Sequence, residues 1–320
     1  MSITGHEACF VCREPSWFEA LPAENGDTVS VIMNFASQHE GWQGIPHGGV
    51  AMTALLDLAD YAGQYKTGAN LAYPLATSWR FGDTVRIGEK MLLEARPKEM
   101  GRFDLSMRRL HTEKIYLQAE LKTQESAFGV DFELPPIDSL FDPATAHQPL
   151  EVYDNCFVCG RKRRRPGLER RFFRSGTGVE PVVVMVRFGD QRDRDRGLAA
   201  NFQQAEGRLH PGVLAALLDE LCGWSGVLAG DLYGFTVRFR LRINFLPEIG
   251  DELLGISPQP RVRGRGERMF YYPYGVIYRR TKAGFTEVVA VAEGQWLARE
   301  ELRRQFVATR IEEDLSGIVF

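Results

Sequence analysis

Two carboxylates in this sequence lie in otherwise apolar stretches, where they could act as an acid, a base or a nucleophile. Asp219 follows the apolar run that begins at His210, and Asp57 follows a similar run that begins at His47. Each run opens with a His-x-Gly-Val sequence and has apolar residues on every side, which predicts a helix buried all round. An ionised carboxyl in such a helix is costly unless it is paired, hydrogen-bonded or protonated, so each is a candidate catalytic group. A solvated aspartate at the end of an amphipathic helix is the alternative.

The composition is that of a soluble globular protein. The chain has 320 residues, enough for two domains that each bury a core. Hydrophobic residues make up 44% and charged residues 25%, and the net charge of -3 gives no general attraction to nucleic acid. No uninterrupted apolar run reaches the ~18 residues of a membrane span, and the first residues lack the apolar core of a signal peptide. We therefore expect a cytoplasmic protein with no membrane or nucleic-acid partner.

The cysteines mark an internal repeat. Two identical Cys-Phe-Val-Cys tetrapeptides begin at Cys9 and Cys156, each upstream of a His-x-Gly-Val stretch, which indicates a tandem duplication. The thiols of a cytoplasmic protein are expected to be reduced. The two pairs could jointly offer four thiolates to zinc, but they are far apart in the sequence and outside any compact ribbon, so we predict no metal site and no cofactor. Cys222, in the second apolar stretch, is expected in the core.

Each copy is predicted to contain one strand, one long helix and then a run of antiparallel strands. The strands are predicted at residues 28–36, 76–81, 90–97, 102–110 and 115–123 in the first copy, and at 182–188, 235–245, 252–260, 267–279 and 286–298 in the second, with a helix at about 211–228. Prolines make residues 133–155 a predicted linker. The chain then divides into a first unit at 1–132, this linker, a second unit at 156–299 and a helical tail at 300–320.

One long apolar helix followed by strands that must curl around it resembles the hotdog fold. The Cys-Phe-Val-Cys pair and the Gly-Trp-Gln-Gly-Ile-Pro-His-Gly-Gly-Val sequence at residues 41–50 are similar to acyl-CoA thioesterases of the phenylacetate-pathway type. The resemblance covers nearly the whole chain. It implies an α+β fold of two tandem hotdog units, each a long helix wrapped by a curled antiparallel sheet of about five strands.

The resemblance also implies a composite active site between the two units. In that family one unit offers the backbone N–H just after its His, and the other offers a carboxylate nine residues after its own His. Here Gly48 follows His47 and has that N–H, whereas Pro211 has none. Asp219 stands nine residues after His210, whereas Leu56 occupies that position in the first copy, and Asp57 is one residue out of register. A slip of one residue turns a side chain by about 100°. The expected result is one working site, with Gly48 and Asp219 as catalytic residues.

Other residues are predicted around that site. His47, Gly49, Gln43, Arg263 and Arg265 are candidate substrate-binding residues, the two arginines for coenzyme A phosphates. The two histidines are more simply interpreted as capping or turn residues than as bases.

Two other functions share some of these sequence features. Hotdog dehydratases share a Pro-Gly-Val-Leu helix start but need a glutamate where this chain has Leu217, which argues against dehydration. The second is a non-catalytic acyl-CoA-binding or regulatory protein, consistent with Gly41 in place of the amide that related enzymes often carry six residues before the His. The favoured function is an acyl-CoA or acyl-carrier thioesterase. The resemblance also allows further association of the fused pair into a homo-oligomer.

Overall fold

The computed structural model describes residues 9–13, 15–112, 114–126, 137–141, 145–161, 163, 167–176, 183–195, 199–204 and 207–308. The helices are α1 (Gly48–Thr67), α2 (Gln191–Asp195), α3 (Pro211–Ser225) and α4 (Glu300–Ala308). The strands are β1 (Ala23–Asn25), β2 (Thr28–Asn34), β3 (Glu40–Trp42), β4 (Ile45–Pro46), β5 (Leu75–Phe81), β6 (Lys90–Pro97), β7 (Arg102–Arg109), β8 (Ile115–Thr123), β9 (Ala146–Pro149), β10 (Phe172–Gly176), β11 (Val183–Phe188), β12 (Gly234–Ile243), β13 (Leu253–Pro258), β14 (Arg261–Arg263), β15 (Phe270–Tyr272), β16 (Tyr274–Thr281) and β17 (Gly284–Ala298).

One antiparallel sheet runs through the described chain. Its strand order is β1-β2-β6-β7-β8-β5-β12-β17-β16-β13-β11-β10-β9, with β14 and β15 attached beside β17. The order β2-β6-β7-β8-β5 in the first half has its counterpart β11-β13-β16-β17-β12 in the second. The two sets meet where β5 pairs with β12, from Arg80 opposite Arg238 to Leu75 opposite Ile243. The middle of the sheet is therefore formed by one strand from each half of the chain.

Each half buries its own helix against its own strands. α1 packs on β2, β6 and β7, and α3 packs on β11, β12, β13, β16 and β17. Leu55 and Leu58 of α1 and Leu218 and Leu221 of α3 have no exposed surface. A helix that is apolar all round can be buried this fully only if the sheet curls around it. The two helices also contact each other.

The contact between the helices is close at their N-terminal turns. A Cβ added to Gly49 would lie 2.5 Å from Ala216 Cα, and one added to Gly212 would lie 2.3 Å from Thr53 Cγ2. Thr53 Oγ1 donates a hydrogen bond to Gly49 O at 2.6 Å or to Gly212 O at 3.1 Å, one in its own helix and one in the other. Glycine is therefore needed at both positions to bring the two helix starts together.

Most predicted strands occur within one or two residues of their expected bounds, and the exceptions have local causes. The strand expected at 267–279 is split into β15 and β16 because Pro273, between them, has no N–H to continue the ladder. α3 ends at Ser225, and a 3-10 turn at Gly226–Ala229 replaces its expected last turn. The segment expected to be a linker contributes β9, which pairs with the unpredicted strand β10. Of the predicted tail helix, α4 reaches Ala308, and the rest lies outside the described residues.

Residues Pro211–Ala229 form a stretch long and apolar enough to cross a membrane by length and composition, and 72% of its apolar window is buried inside the fold. The polar residues Asp219, Glu220 and Ser225 lie within this stretch. Burial against five strands is typical of the core helix of a globular protein, and such helices can be as long and apolar as a membrane span.

Candidate active site

The carboxylate of Asp219 lies at the N-terminus of the opposite helix, α1. Gly49 N–H donates a hydrogen bond to Asp219 Oδ2 at 3.1 Å. A Cβ added to Gly48 would lie 3.0 Å from the same oxygen and 3.2 Å from the ring of Phe81, so any side chain here would crowd both groups. The structure thus brings together Gly48 and Asp219, which are far apart in the sequence. The partial positive charge of the helix N-terminus stabilises a carboxylate in this position.

His47 fixes where α1 begins. It is the N-cap residue, with extended backbone angles, and its Nδ1 accepts a hydrogen bond from Gly49 N–H at 2.8 Å. The Gly49 N–H is therefore shared between His47 and Asp219. His210 caps α3 in the same way, accepting from Gly212 N–H at 3.0 Å. The interpretation of both histidines as capping residues is confirmed.

Thr236, on β12, holds the other oxygen of the carboxylate. Its Oγ1 donates a hydrogen bond to Asp219 Oδ1 at 2.7 Å. Burial raises the pKa of Asp219, and this effect outweighs the lowering by the neighbouring His47 imidazole and by the hydrogen bond from Thr236. Sequence reasoning missed Thr236, because a threonine in a strand is ordinary and only the course of β12 past α3 brings it to the acid.

Gly48, His47, Asp219 and Thr236 all line one cleft between the two halves of the chain. Eight aromatic residues from both halves contribute to the rest of its wall, together with the carboxylates of Asp83 and Glu220: Trp42, Phe81 and Tyr116 from the first half, and Trp224, Tyr233, Phe235, Tyr271 and Trp296 from the second. The cleft therefore offers a polar corner at the start of α1 and an apolar wall beside it.

Three of the predicted binding residues lie elsewhere. Gln43 is exposed between β3 and β4, and it is absent from the cleft wall although Gly41 and Trp42 are part of it. Arg263, at the end of β14, is exposed with its guanidinium 5.7 Å from the ring centre of Tyr272. Arg265 is exposed in the loop that follows. The structure thus gives these three residues no contact with the cleft.

The start of α3 has neither the backbone N–H at its first position nor the in-register carboxylate that are found at the start of α1. Pro211 is its first residue and has no N–H, and Leu56, at the position equivalent to Asp219, is fully buried. The amide of Gln204, six residues before His210, donates to Asp60 Oδ2 at 3.0 Å. Gln204 is therefore held by a neighbouring carboxylate.

A second pair of carboxylates, Asp57 and Glu220, lies ten residues after each His. Glu220 Oε2 is 3.0 Å from His47 Nε2, and Asp57 Oδ1 is 3.2 Å from His210 Nε2, so each helix start contacts an acid of the other helix. Asp57 is absent from the wall of the cleft that holds Asp219, in agreement with its register. Glu220, which also lines the cleft, was not singled out by the sequence.

Two opposed effects act on the pKa of the histidine in each of these histidine–carboxylate pairs. Burial lowers the pKa of His47, but the hydrogen bond and charge of Glu220 raise it to about 9. The cap hydrogen bond from Gly49, however, needs an unprotonated Nδ1. The hydrogen-bond geometry therefore fits a neutral ring that carries its proton on Nε2, shared with the carboxylate. Burial alone would raise the pKa of Glu220. The hydrogen bond from His47 and the other contacts of this carboxyl outweigh that effect, so its pKa lies below the ordinary value.

The Cys-x-x-Cys pairs lie against these same acids. Cys9 Sγ and Cys12 Sγ each lie 2.9 Å from an oxygen of Asp57, and Cys156 Sγ lies 3.5 Å from Glu220 Oε1. The two pairs thus belong to two separate clusters, and the four-thiolate arrangement considered from the sequence is not formed. Cys222 is fully buried in α3, as expected.

Comparison with solved structures identifies the fold. The chain is similar to a proposed thioesterase from Novosphingobium aromaticivorans (TM-score 0.56, 13% identity, 87% of this chain and 98% of that chain). It is also similar to a proposed thioesterase II from Thermobifida fusca (TM-score 0.56, 14% identity, 93% and 100%). A hot dog fold protein of unknown function from Alicyclobacillus acidocaldarius matches as well (TM-score 0.51, 15% identity, 87% and 95%). No protein-family model matches the sequence, and no curated protein is similar to it. The chain therefore has an α+β hotdog fold, as its residues suggested.

Proposed function

We propose that this protein is a thioesterase that hydrolyses an acyl-CoA or acyl-carrier thioester at one site between two tandem hotdog units. The observation that carries the proposal is the buried carboxylate of Asp219, held against the N-terminus of α1 in an aromatic cleft. The repeated strand order, with one long helix in each half, supports the division into units at residues 1–132 and 156–299. The likeness to solved hotdog structures extends over both halves.

The start of α1 is suited to bind the carbonyl oxygen of a thioester. Attack on the carbonyl carbon turns this oxygen into an oxyanion, which backbone N–H groups and the positive end of a helix stabilise. In the proposed mechanism Gly48 N–H, at the first position of α1, is the donor. The lack of a side chain on Gly48 leaves the substrate room beside Phe81.

Asp219 is proposed to act as the general base. It takes a proton from water while the water oxygen bonds to the carbonyl carbon, and a tetrahedral intermediate forms. As this intermediate collapses, the carbon–sulfur bond breaks, and the protonated Asp219 returns the proton to the thiolate that leaves. Thr236 holds Asp219 Oδ1 and so fixes the orientation of the carboxylate.

The second helix start is proposed to be inactive. It has Pro211 in place of the N–H donor and Leu56 in place of the acid. A fused pair of units can lose one of two equivalent sites and keep the other. The remaining site draws its acid from α3 and its oxyanion donor from α1, so neither half would be active alone.

The test is hydrolysis of a panel of short-chain, long-chain and aromatic acyl-CoAs by the full chain. Loss of the ultraviolet absorbance of the thioester is preferable to thiol titration, because the protein carries five cysteines of its own. We expect turnover of at least one class, with the aromatic cleft favouring apolar acyl groups. Acyl-CoA that binds without being hydrolysed would contradict the proposal and favour a non-catalytic binding protein.

A further inference from the structure

The two Cys-x-x-Cys pairs have no part in the proposed hydrolysis, although each lies in a buried cluster of groups that bind metals. In the first cluster, Cys9, Cys12 and Asp57 present ligand atoms that all lie within 4.8 Å of one another. His210 Nε2 lies 3.2 Å from Asp57 Oδ1 in the same cluster. Cys9 and His210 have no exposed surface. Three of these four groups are therefore buried, and Cys12 is partly exposed.

The second cluster repeats the first with the halves exchanged. His47, Cys156 and Glu220 also present atoms within 4.8 Å of one another. Cys159 lies beside this set, because its backbone N–H donates to Cys156 Sγ at 3.5 Å and its thiol helps to lower the pKa of Glu220. Asp57 and Glu220 both stand ten residues after their own histidine, and the two Cys-Phe-Val-Cys sequences are identical. The same four donor types have therefore been kept in both halves, while the residues of the proposed active site have diverged between them.

We propose that each cluster binds one zinc ion, held by two cysteine thiolates and one carboxylate of one half and by the histidine Nε2 of the other. The ligand sets are Cys9, Cys12, Asp57 and His210 for one ion, and Cys156, Cys159, Glu220 and His47 for the other. Thiolate, imidazole and carboxylate are the ligands that zinc takes in tetrahedral protein sites. Zinc–ligand bonds of roughly 2.0–2.3 Å place such ligands about 3–4 Å apart. The contacts to the two carboxylates are close to that spacing: 2.9 Å from each cysteine of the first pair and 3.2 Å from His210 to Asp57, and 3.5 Å from Cys156 and 3.0 Å from His47 to Glu220.

Zinc binding requires a definite set of proton movements. Each cysteine loses its thiol proton to solvent, because the thiolate is the ligand. The histidine proton moves from Nε2 to Nδ1, which ends the hydrogen bond from the cap N–H. At His47 the Gly49 N–H keeps Asp219 Oδ2 as its acceptor at 3.1 Å, and Asp219 Oδ2 lies 3.5 Å from His47 Nδ1. A carboxylate behind a zinc-bound histidine is the usual arrangement for orienting the ring.

Each ion would join the two halves of the chain, because one ligand in every set comes from the opposite helix. The ion at Glu220 would also help to fix the proposed active site, since its ligand His47 caps the helix start at which Asp219 lies. The proposed role of both ions is structural, and neither ion binds substrate.

The experiment is metal analysis of the purified full chain after dialysis against metal-free buffer. We expect two zinc ions per chain. The variants C9S/C12S and C156S/C159S should each retain one, and the matched control C222S, which changes a buried cysteine outside both clusters, should retain two. Chelation of zinc from the wild type should lower Tm.

Cobalt substitution gives a test that does not depend on the folding of any variant. Co²⁺ in the wild-type chain should show the charge-transfer absorption of bound thiolates and the visible bands of a tetrahedral site. Wild-type protein with neither zinc nor thiolate-bound cobalt, or with each pair oxidised to a disulfide, would overturn the proposal. So would double-serine variants that fold and keep both ions. None of these results depends on substrate, so failure here and failure of the proposed hydrolysis are separate outcomes.

Discussion

Replacement of Asp219 by asparagine tests the proposed site most directly. The substitution keeps the shape of the side chain and removes its capacity to accept a proton. Asp219 now accepts from Gly49 N–H on Oδ2 and from Thr236 on Oδ1. An asparagine can keep the first with its amide oxygen, while its NH₂ donates to the hydroxyl oxygen of Thr236, which serves as donor or acceptor. The site should therefore keep its geometry.

The expected loss is catalytic, with little change in stability. Removal of a general base lowers the rate by roughly 10²–10⁴-fold, or about 2.7–5.4 kcal/mol of transition-state stabilisation. The loss should appear in kcat, because Asp219 acts on water in the transition state, and KM should change little. The measurement is kcat and KM for the best acyl-CoA of the panel, together with Tm.

The matched control is Asp60→Asn. Asp60 is also a buried carboxylate on one of the two central helices, but it accepts from Gln204 and from Leu71 N–H, away from the cleft. It should keep wild-type kcat within a few-fold. An Asp219→Asn protein that folds and loses less than about tenfold in kcat/KM would refute the assignment of the base. Equal losses in the two variants would indicate a general effect of the altered core.

Three further predictions concern neighbouring contacts. Gly48→Ala should lower kcat/KM by about tenfold or more with little change in Tm, since its Cβ would lie 3.0 Å from Asp219 Oδ2. Wild-type kinetics for this variant would show that the substrate does not bind next to Gly48. Thr236→Val should lower kcat while Thr236→Ser restores it, because only the valine lacks the hydroxyl that orients Asp219; equal kinetics for the two would remove its proposed role. Gly212→Ala should lower the free energy of unfolding in urea by about 1–3 kcal/mol, because its Cβ would lie 2.3 Å from Thr53. Thr53→Ala should recover part of this loss in a double-mutant cycle, and strict additivity would contradict the contact.

The sequence predicted well those features that depend on local pattern. The two apolar helices, the alternating strands after each, and the repeat of Cys-Phe-Val-Cys were read from spacing alone. The expected strand at 267–279 was interrupted at Pro273, a residue whose effect could have been anticipated. The strand pair β9 and β10 was missed because Pro149 and its neighbours have no clear alternation.

Parts of the candidate site could be anticipated, and others could not. The difference between Gly48 and Pro211, and that between Asp219 and Leu56, are visible in the sequence once the two copies are aligned. The positions of Thr236, Gln43, Arg263 and Arg265 could not be predicted in this way. Whether each of them reaches the cleft depends on the course of its strand or loop relative to the helix starts. The structure brings the threonine to the acid and leaves the other three exposed.

The sequence by itself determined which groups each half possesses: an acid in register on α3, an N–H donor on α1, and two thiols, one histidine and one further carboxylate in each copy. Only the tertiary structure decided their partners. Because α1 and α3 are in close contact at Gly49 and Gly212, each histidine contacts an acid of the opposite helix, and Asp219 contacts the start of α1. Helical periodicity fixes the direction of a side chain about its own axis, but the close approach of two helices fixes what that side chain contacts.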